Sequence, residues 1–168
     1  MQSRMYSPVM VIPDAMKALY ELSSAVAKSG VPKSTIEFVN LRAGQINGCG
    51  VCVDMHTRQL KQAGETDERI FAVAAWRDTP YFSDAERAAL ALTEAVTRLS
   101  DRADPVPDEI WNEAAGHYDE RALAGLVLAI ATINVWNRLN VGTRQIAGEW
   151  QKSAEARQWV QKSQTVSV

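Results

Sequence analysis

The sequence predicts an all-α protein, built as a compact bundle of helices. Apolar residues recur at helical spacing along most of the chain, and no stretch of useful length alternates apolar and polar residues as a strand would. The breaks between the periodic segments carry residues typical of helix starts and stops. At 168 residues the chain is long enough to bury a core, so we expect a single domain over residues 1–168.

Two helices are predicted before the first cysteine. Pro13 opens the first of them, and Gly30 ends it. Ser34 and Glu37 have the spacing of a capping box, in which the serine binds a backbone N–H and the glutamate reaches back to the helix start. The pair Asn47-Gly48 is a helix-stop signal, so the second helix should end there.

Three helices are predicted in the middle of the chain. The first should begin near Cys49 and end at Gly64, a residue type that suits the left-handed position after a helix. Thr66 opens a short helix. Ser83 with Glu86 predicts a second capping box, which starts a helix with one clearly apolar face.

Two more helices complete the predicted bundle. Pro107 suits the first turn of one of them. Asp119 is expected to cap the most apolar helix, which runs from about Glu120 to Leu139. Because this helix is apolar nearly all round, we expect it to be the central one. From about residue 143 the chain becomes polar, which predicts a surface helix or tail.

Composition argues against several classes of function. The 18 basic and 20 acidic residues give a formal net charge of −2, so no basic surface is expected for a nucleic-acid partner. The longest apolar-rich stretch, Ala122 to Ile133, is too short to span a bilayer, and we expect no membrane partner. No secretory signal is recognisable at the N-terminus. We therefore expect a cytoplasmic, reducing setting, where paired cysteines are usually catalytic, redox-sensing or metal-binding.

The residues that carry chemistry lie between Glu37 and His56. Cys49 and Cys52 have the spacing of a dithiol that opens and closes a disulfide, and on a helix they share a face. The thiolate is the nucleophilic form, so the site must promote loss of the proton. A helix N-terminus beside the cysteines favours the anion, and His56, one turn after Cys52, is a candidate base. Glu37 is a candidate for the group that orients His56.

Other interpretations of the same residues remain open at this stage. The cysteines could be small buried apolar residues. A zinc site would have three ligands in Cys49, Cys52 and His56 but no fourth nearby, since His117 is distant in sequence. Glu37 taken alone fits a helix cap better than a proton relay. A c-type haem is excluded because no histidine directly follows the second cysteine, and we expect neither a cofactor nor a metal.

The specific pattern in this region is Gln45-Ile-Asn-Gly-Cys49-x-x-Cys52-x-x-x-His56, followed by Gly64. With Glu37 ahead of it, this run resembles the signature of the alkyl hydroperoxidase D-like family, within the carboxymuconolactone decarboxylase superfamily. The similarity covers roughly residues 10–142. It continues through Ala75-Trp76-Arg77, Phe82 to Leu90, Glu94 to Thr97, and Ile133 to Arg138.

The resemblance implies an all-α fold whose subunits assemble as homotrimers or homohexamers. It also implies peroxidase or disulfide-reductase activity, in which Cys52 attacks the peroxide, Cys49 resolves the product, and His56 and Glu37 relay the proton. The partners would then be a small hydroperoxide and an external dithiol reductant. Some members of the family carry a second histidine just before the second cysteine, whereas this chain has Val51 there.

The predicted function is a thiol-dependent peroxidase or disulfide reductase with an antioxidant role. Two alternatives come from other classes of protein. One is a decarboxylase-type lyase that uses His56 and Glu37 as acid and base, although such chemistry has no use for a dithiol. The other is a non-enzymatic, redox-sensing oligomer in which the disulfide changes the packing.

Overall fold

The computed structural model describes residues 1–101 and 103–149, and in these ranges the protein is helical and contains no strand. The all-α prediction is confirmed. The described ranges hold eight α-helices and two short 3-10 helices. In chain order the α-helices are α1 (Pro8–Val11), α2 (Pro13–Ala27), α3 (Lys33–Ile46), α4 (Gly50–Gln62), α5 (Asp67–Ala72), α6 (Asp84–Thr97), α7 (Asp108–His117) and α8 (Glu120–Thr143), and the 3-10 helices are Val73–Asp78 and Leu99–Asp101.

Four of the eight α-helices in the described ranges begin with a side-chain cap: α4, α5, α6 and α8. Ser83 accepts a hydrogen bond from the backbone N–H of Glu86, and the Glu86 carboxylate accepts one from the Ser83 backbone, so the predicted capping box at α6 is confirmed. Asp119 caps α8 by accepting from the N–H of Ala122 at 2.8 Å. These contacts satisfy N–H groups that the first turn of a helix leaves without partners.

The capping box predicted at the start of α3 is wrong. The helix begins at Lys33 with Pro32 in the N-cap position, and no side chain among the described residues caps it. Proline supplies a fixed φ suited to entering a helix without needing a cap at Ser34. Glu37 is only 9% exposed and contacts His56 instead of its own helix start.

Helix α3 is more enclosed than the more apolar α8. Helix α3 packs against α4, α6, α8 and the 3-10 helix Val73–Asp78, and within the described ranges Lys33 is its single exposed residue. Helix α8 also packs against five other helices, but Leu128, Val135 and Val141 are 42%, 41% and 45% exposed. The expectation that α8 is central therefore holds for one face, while its other apolar face is open.

Helix α8 extends four residues beyond its predicted end, to Thr143. By length and composition alone it could cross a membrane, yet more than half of its most apolar segment is buried inside the bundle, as in the core helix of a soluble domain. Residues 144 and 147–149 form turns, and no helix is found over 144–149. The rest of the predicted surface helix or tail lies outside the described residues.

Candidate active site

The turn between α3 and α4 determines where the cysteines lie. Gly48 has a φ of 65°, and the N–H groups of Cys49 and Gly48 donate to the carbonyls of Gly44 and Gln45 at 2.9 and 3.4 Å. This pair of bonds is the Schellman arrangement that closes a helix through a left-handed residue. The chain then enters α4 immediately, with Cys49 as its N-cap residue.

Cys49 and Cys52 are joined by a disulfide, with their Cα atoms 5.3 Å apart. The Sγ of Cys49 accepts the backbone N–H of Cys52 at 3.2 Å, so a cysteine takes the capping role that serine or aspartate usually has. The two residues are 1% and 0% exposed. The CxxC pair is therefore a buried disulfide at the N-terminus of a helix.

A close approach between α3 and α4 brings the disulfide against the core. A Cβ atom added to Gly44 would lie 3.2 Å from the Cβ of Cys52, closer than nearly all observed contacts of that kind. Glycine at this position lets the two helices approach at Cys52. The same approach carries the side chains one or two turns further along the two helices into contact.

His56 and Glu37 form a buried pair across the α3–α4 interface. The Nδ1 atom of His56 lies 2.7 Å from Oε2 of Glu37, and the residues are 5% and 9% exposed. A carboxylate accepts hydrogen bonds, so the contact assigns Nδ1 as the donor, and in that tautomer Nε2 can accept a proton. Nε2 is buried and has no hydrogen-bond partner among the described residues.

Gln59 adds a further contact to this pair. With its amide turned so that the nitrogen faces the carboxylate, Gln59 donates to Oε2 and Oε1 of Glu37 at 2.6 and 3.1 Å. Gln59 lies three residues after His56, on the same face of α4. Glu37 thus has two donors that hold it in place, one from the imidazole and one from the amide.

Helix α8 covers the other side of the disulfide. Ile133 belongs to the apolar cluster around the cysteines, and Trp136 packs against that cluster. Asn140, one turn further along the helix, donates from Nδ2 to the Sγ of Cys52 at 3.5 Å. The apolar cluster around the sulfur pair therefore draws on α3, α4 and α8.

An amide network ties the turn before the cysteines to α8. The Nδ2 atom of Asn47 donates to Oδ1 of Asn137 at 2.7 Å and lies 3.0 Å from Oδ1 of Asn134. Asn134 in turn donates to the hydroxyl of Thr97 on α6 at 3.1 Å. Buried amide networks of this kind specify one arrangement of the helices when their groups are satisfied.

A second polar network lies around Glu94 of α6. Its carboxylate accepts from the guanidinium groups of Arg42 and Arg77 and from the indole of Trp76, at 2.6 to 2.9 Å. Burial raises the pKa of this carboxyl, but the three donors outweigh burial and hold the pKa below its ordinary value. Gln45, part of the sequence signature, accepts from Arg42 and so belongs to this structural network.

Comparison with known proteins identifies the family. Residues 13–95 match the carboxymuconolactone decarboxylase family. The uncharacterised protein YdfG of Bacillus subtilis is 37% identical over 131 residues, which are 78% of this chain and 88% of that protein. The chain belongs to the carboxymuconolactone decarboxylase family.

Two further similarities concern the AhpD branch of that family. A solved structure from Agrobacterium tumefaciens, described as a protein of unknown function and a candidate AhpD antioxidant defence protein, superposes with a TM-score of 0.80. The two chains are 32% identical, and the match covers 87% of this chain and 98% of the other. The alkyl hydroperoxide reductase AhpD of a Bradyrhizobium species is 49% identical over 41 residues, which are 24% of this chain and 23% of that protein. The resemblance to the alkyl hydroperoxidase D-like family is confirmed.

Val51, where the family resemblance implies a histidine in some members, is a packing residue in this structure. Val51 lies in the first turn of α4, is 9% exposed and packs in the apolar cluster around the cysteines. An apolar contact therefore occupies the position where some relatives carry a histidine. The remaining histidine, His117, lies at the end of α7 and contacts Glu113 at 3.3 Å. No group of three histidine, cysteine or acidic side chains in residues 1–101 and 103–149 has the geometry of a metal site.

The sequence interpretation missed two residues of the site. Gln59 had a usable signal, since it follows His56 by three positions on a predicted helix. Asn140 had none, because it is 88 positions from Cys52 and its contact depends on how α8 crosses α4. In this member of the carboxymuconolactone decarboxylase family, the hydrogen-bond donors to the two sulfurs come from α4 and α8, and α3 supplies the carboxylate that binds His56.

Proposed function

We propose that this protein is a thiol-dependent peroxidase that reduces small hydroperoxides through Cys49 and Cys52. One observation carries the proposal: a disulfide-forming cysteine pair is joined on the same helix to a buried His56–Glu37 pair whose free Nε2 suits a base. The similarity to proteins named AhpD supports the same chemistry. The nucleophile, the base and the group that orients the base are the components such a reaction needs.

The reaction begins from the reduced dithiol. Glu37 holds the Nδ1–H of His56, and Nε2 takes the proton of the Cys52 thiol, directly or through one water molecule. The Cys52 thiolate attacks the terminal O–H oxygen of the hydroperoxide and breaks the O–O bond. Cys52 becomes a sulfenic acid, and the leaving alkoxide receives the proton that His56 carries, so an alcohol departs.

The second half of the cycle restores the thiols. The Cys49 sulfur attacks the sulfenic sulfur of Cys52, a disulfide forms and one water molecule leaves. An external dithiol then reduces this disulfide by exchange and is itself oxidised to a disulfide. In sum, one hydroperoxide and one dithiol give an alcohol, water and one disulfide. The roles given to Cys52 and Cys49 follow the family resemblance, and the position of His56 one turn after Cys52 supports them.

The proposal includes a cytoplasmic setting and an assembly of identical subunits, a homotrimer or homohexamer. The open apolar face of α8, with Leu128 and Val135 each more than 40% exposed, supports an assembly, because contact with another copy would remove that face from water. Light scattering on the purified full chain tests the assembly. A mass equal to one chain across the micromolar range would remove this part of the proposal.

The test of the proposed activity is a thiol count before and after one equivalent of an organic hydroperoxide. Wild type should lose two thiols per chain, recover them with a dithiol and repeat the cycle. Cys52→Ser should lose none rapidly, and Cys49→Ser should accumulate a sulfenic acid that a dimedone-type reagent traps. Unreactive thiols in the wild type would exclude the peroxidase.

A lyase is the second candidate, and the buried Glu37–His56 pair favours it as an acid–base device. The same variants separate the two functions. Turnover of a lactone-like acid that survives the Cys49→Ser/Cys52→Ser double substitution but not His56→Gln would support the lyase. A disulfide that forms with peroxide but never turns over with any dithiol would instead indicate a redox-sensing oligomer.

A further inference from the structure

The two sulfur atoms of the site have different hydrogen-bond donors. The Sγ of Cys49 accepts from the backbone N–H of Cys52 at 3.2 Å. The Sγ of Cys52 accepts from Nδ2 of Asn140 at 3.5 Å, across the interface between α4 and α8. The N-terminus of α4 therefore serves the sulfur of Cys49, and the donor for Cys52 is a side chain from another helix.

We infer that Asn140 is a further catalytic residue, whose amide donates to the Cys52 thiolate and stabilises that anion when His56 takes the proton. This inference rests on the proposed function, because such a donor matters to the reaction only when Cys52 reacts as a thiolate. Hydrogen bonds to an ionised acceptor are about twice as strong as bonds between neutral groups. The contact seen with the disulfide sulfur is therefore expected to strengthen in the reduced, ionised site.

The fold holds Asn140 in position before any reaction. Its carbonyl accepts the N–H of Gln145 at 2.9 Å, in the turn that closes α8 at Arg144. Two residues further along α8, the guanidinium of Arg4 donates to the carbonyl of Gly142 at 3.0 Å. The backbone N–H of Arg4 donates to the carbonyl of Thr143 at 2.9 Å. The end of α8 is thus tied down from two sides. These contacts fix the backbone of Asn140, so its amide starts within reach of the Cys52 sulfur before charge develops there.

The Asn140 amide supplies a polar group to a site in which Val51 supplies none. A histidine before the second cysteine would be a titratable group, and here that position is apolar and buried. The Asn140 amide does not titrate in the working pH range, so its donor is present on both sides of neutrality. His56 moves the proton and Asn140 stabilises the charge left behind, which divides the two tasks between two helices.

The test measures each thiol separately and uses no hydroperoxide. In a Cys49→Ser background Cys52 is the single thiol, and its alkylation by iodoacetamide is followed from pH 5 to 10. Asn140→Leu removes the donor at similar size and should slow alkylation about tenfold below the midpoint, moving that midpoint upward by about one pH unit. Asn140→Asp, nearly the same shape, should move it further because a carboxylate repels the thiolate.

The controls separate this role from a general effect on the fold. In a Cys52→Ser background Cys49 remains, and Asn140→Leu should leave its alkylation profile unchanged because its donor is a backbone N–H. Asn112→Leu, at an exposed position on α7, should change neither profile.

Identical Cys52 profiles with and without the Asn140 amide would overturn the inference, and so would equal shifts for both cysteines. If Asn140→Leu melts below room temperature, Asn140→Asp decides the question alone. If Asn140→Leu shifts only the Cys52 profile while the wild type loses no thiols to hydroperoxide in the thiol count described above, the proposed function is overturned and the amide–thiolate contact stands.

Discussion

The Nδ1 atom of His56 lies 2.7 Å from Oε2 of Glu37, in a pair buried between α3 and α4. A charge-capable pair placed this deep is expensive unless each group satisfies the other. Its second imidazole nitrogen, by contrast, has no partner in the part of the chain that the structure describes. The two nitrogens of the imidazole therefore differ: Glu37 binds Nδ1, and Nε2 is available to take a proton.

Glu37→Gln should slow hydroperoxide-driven disulfide formation by about tenfold or more, with little change in the fold. A carboxylate only accepts hydrogen bonds and so keeps the proton on Nδ1, whereas an amide can also donate and does not select that tautomer. Stopped-flow tryptophan fluorescence on the reduced protein measures the rate. The matched control is Glu113→Gln, which alters a similar glutamate–histidine contact on the exposed surface of α7. Equal rates for Glu37→Gln and wild type would show that the pair is structural.

Gly44→Ala should destabilise the oxidised protein by about 1–3 kcal/mol, because the added Cβ would lie 3.2 Å from the Cβ of Cys52 and force the two helices apart. Urea denaturation measures the free energy of unfolding. Gly116→Ala is the control, since no described atom lies within 4 Å of its added Cβ, and it should cause no loss. Similar destabilisation in both variants would mean that helix packing at Gly44 is not tight.

Gly48→Ala should cost about 1–2 kcal/mol for a different reason. No described atom lies within 4 Å of the added Cβ, but the φ of 65° places alanine in the left-handed region. Gly50→Ala, two residues later in the first turn of α4, has equal space without a left-handed φ and should be neutral or slightly stabilising. Thermal unfolding of the two variants compares them directly, and equal melting temperatures would contradict the argument.

Glu94→Gln should lower the free energy of unfolding by about 1.5–3 kcal/mol at pH 7, because two guanidinium groups lose their ionised acceptor. The lowered pKa of Glu94 gives the pH dependence. Its folded pKa lies below the unfolded value near 4.3, so its stabilisation is fully present above that pH and is lost as the pH falls through the folded pKa.

Urea denaturation of wild type and Glu94→Gln between pH 7 and pH 3 tests this dependence. The difference between the two proteins should be constant from pH 7 to about pH 5 and should shrink at lower pH. Comparing the two proteins removes the contribution of the other carboxyl groups, which titrate in both. A difference that stays constant down to pH 3 would contradict the lowered pKa.

Local signals predicted most helix boundaries. Asn47-Gly48 ends α3, and Cys49 is the N-cap residue of α4. The capping box at Ser83 and the cap at Asp119 also lie where the sequence indicates. These features depend on bonds between groups a few residues apart, and the residue types that make such bonds are visible in the chain. The CxxC pair is local in the same sense, so its disulfide could be expected.

The contact that Glu37 makes does not follow from its neighbours in sequence. Its spacing from Ser34 favours a helix cap, but the carboxylate lies in the interface with α4 and binds an imidazole 19 positions away. Helix α3 likewise is more polar than α8 yet more enclosed, since Glu37 and Arg42 find charged or polar partners on other helices. Helix α8 is more apolar and keeps an open face.

The sequence by itself therefore determined the all-helical class, the main helix boundaries and the cysteine pair at the start of α4. The pairing of Glu37 with His56 was a hypothesis that the tertiary structure had to decide, and only the tertiary structure revealed that Arg42 meets Glu94 and Asn140 meets Cys52. The physical reason is that capping and turn bonds are made within a few residues. Pairs between helices depend on crossing geometry, which close contacts such as that at Gly44 determine and no local pattern records.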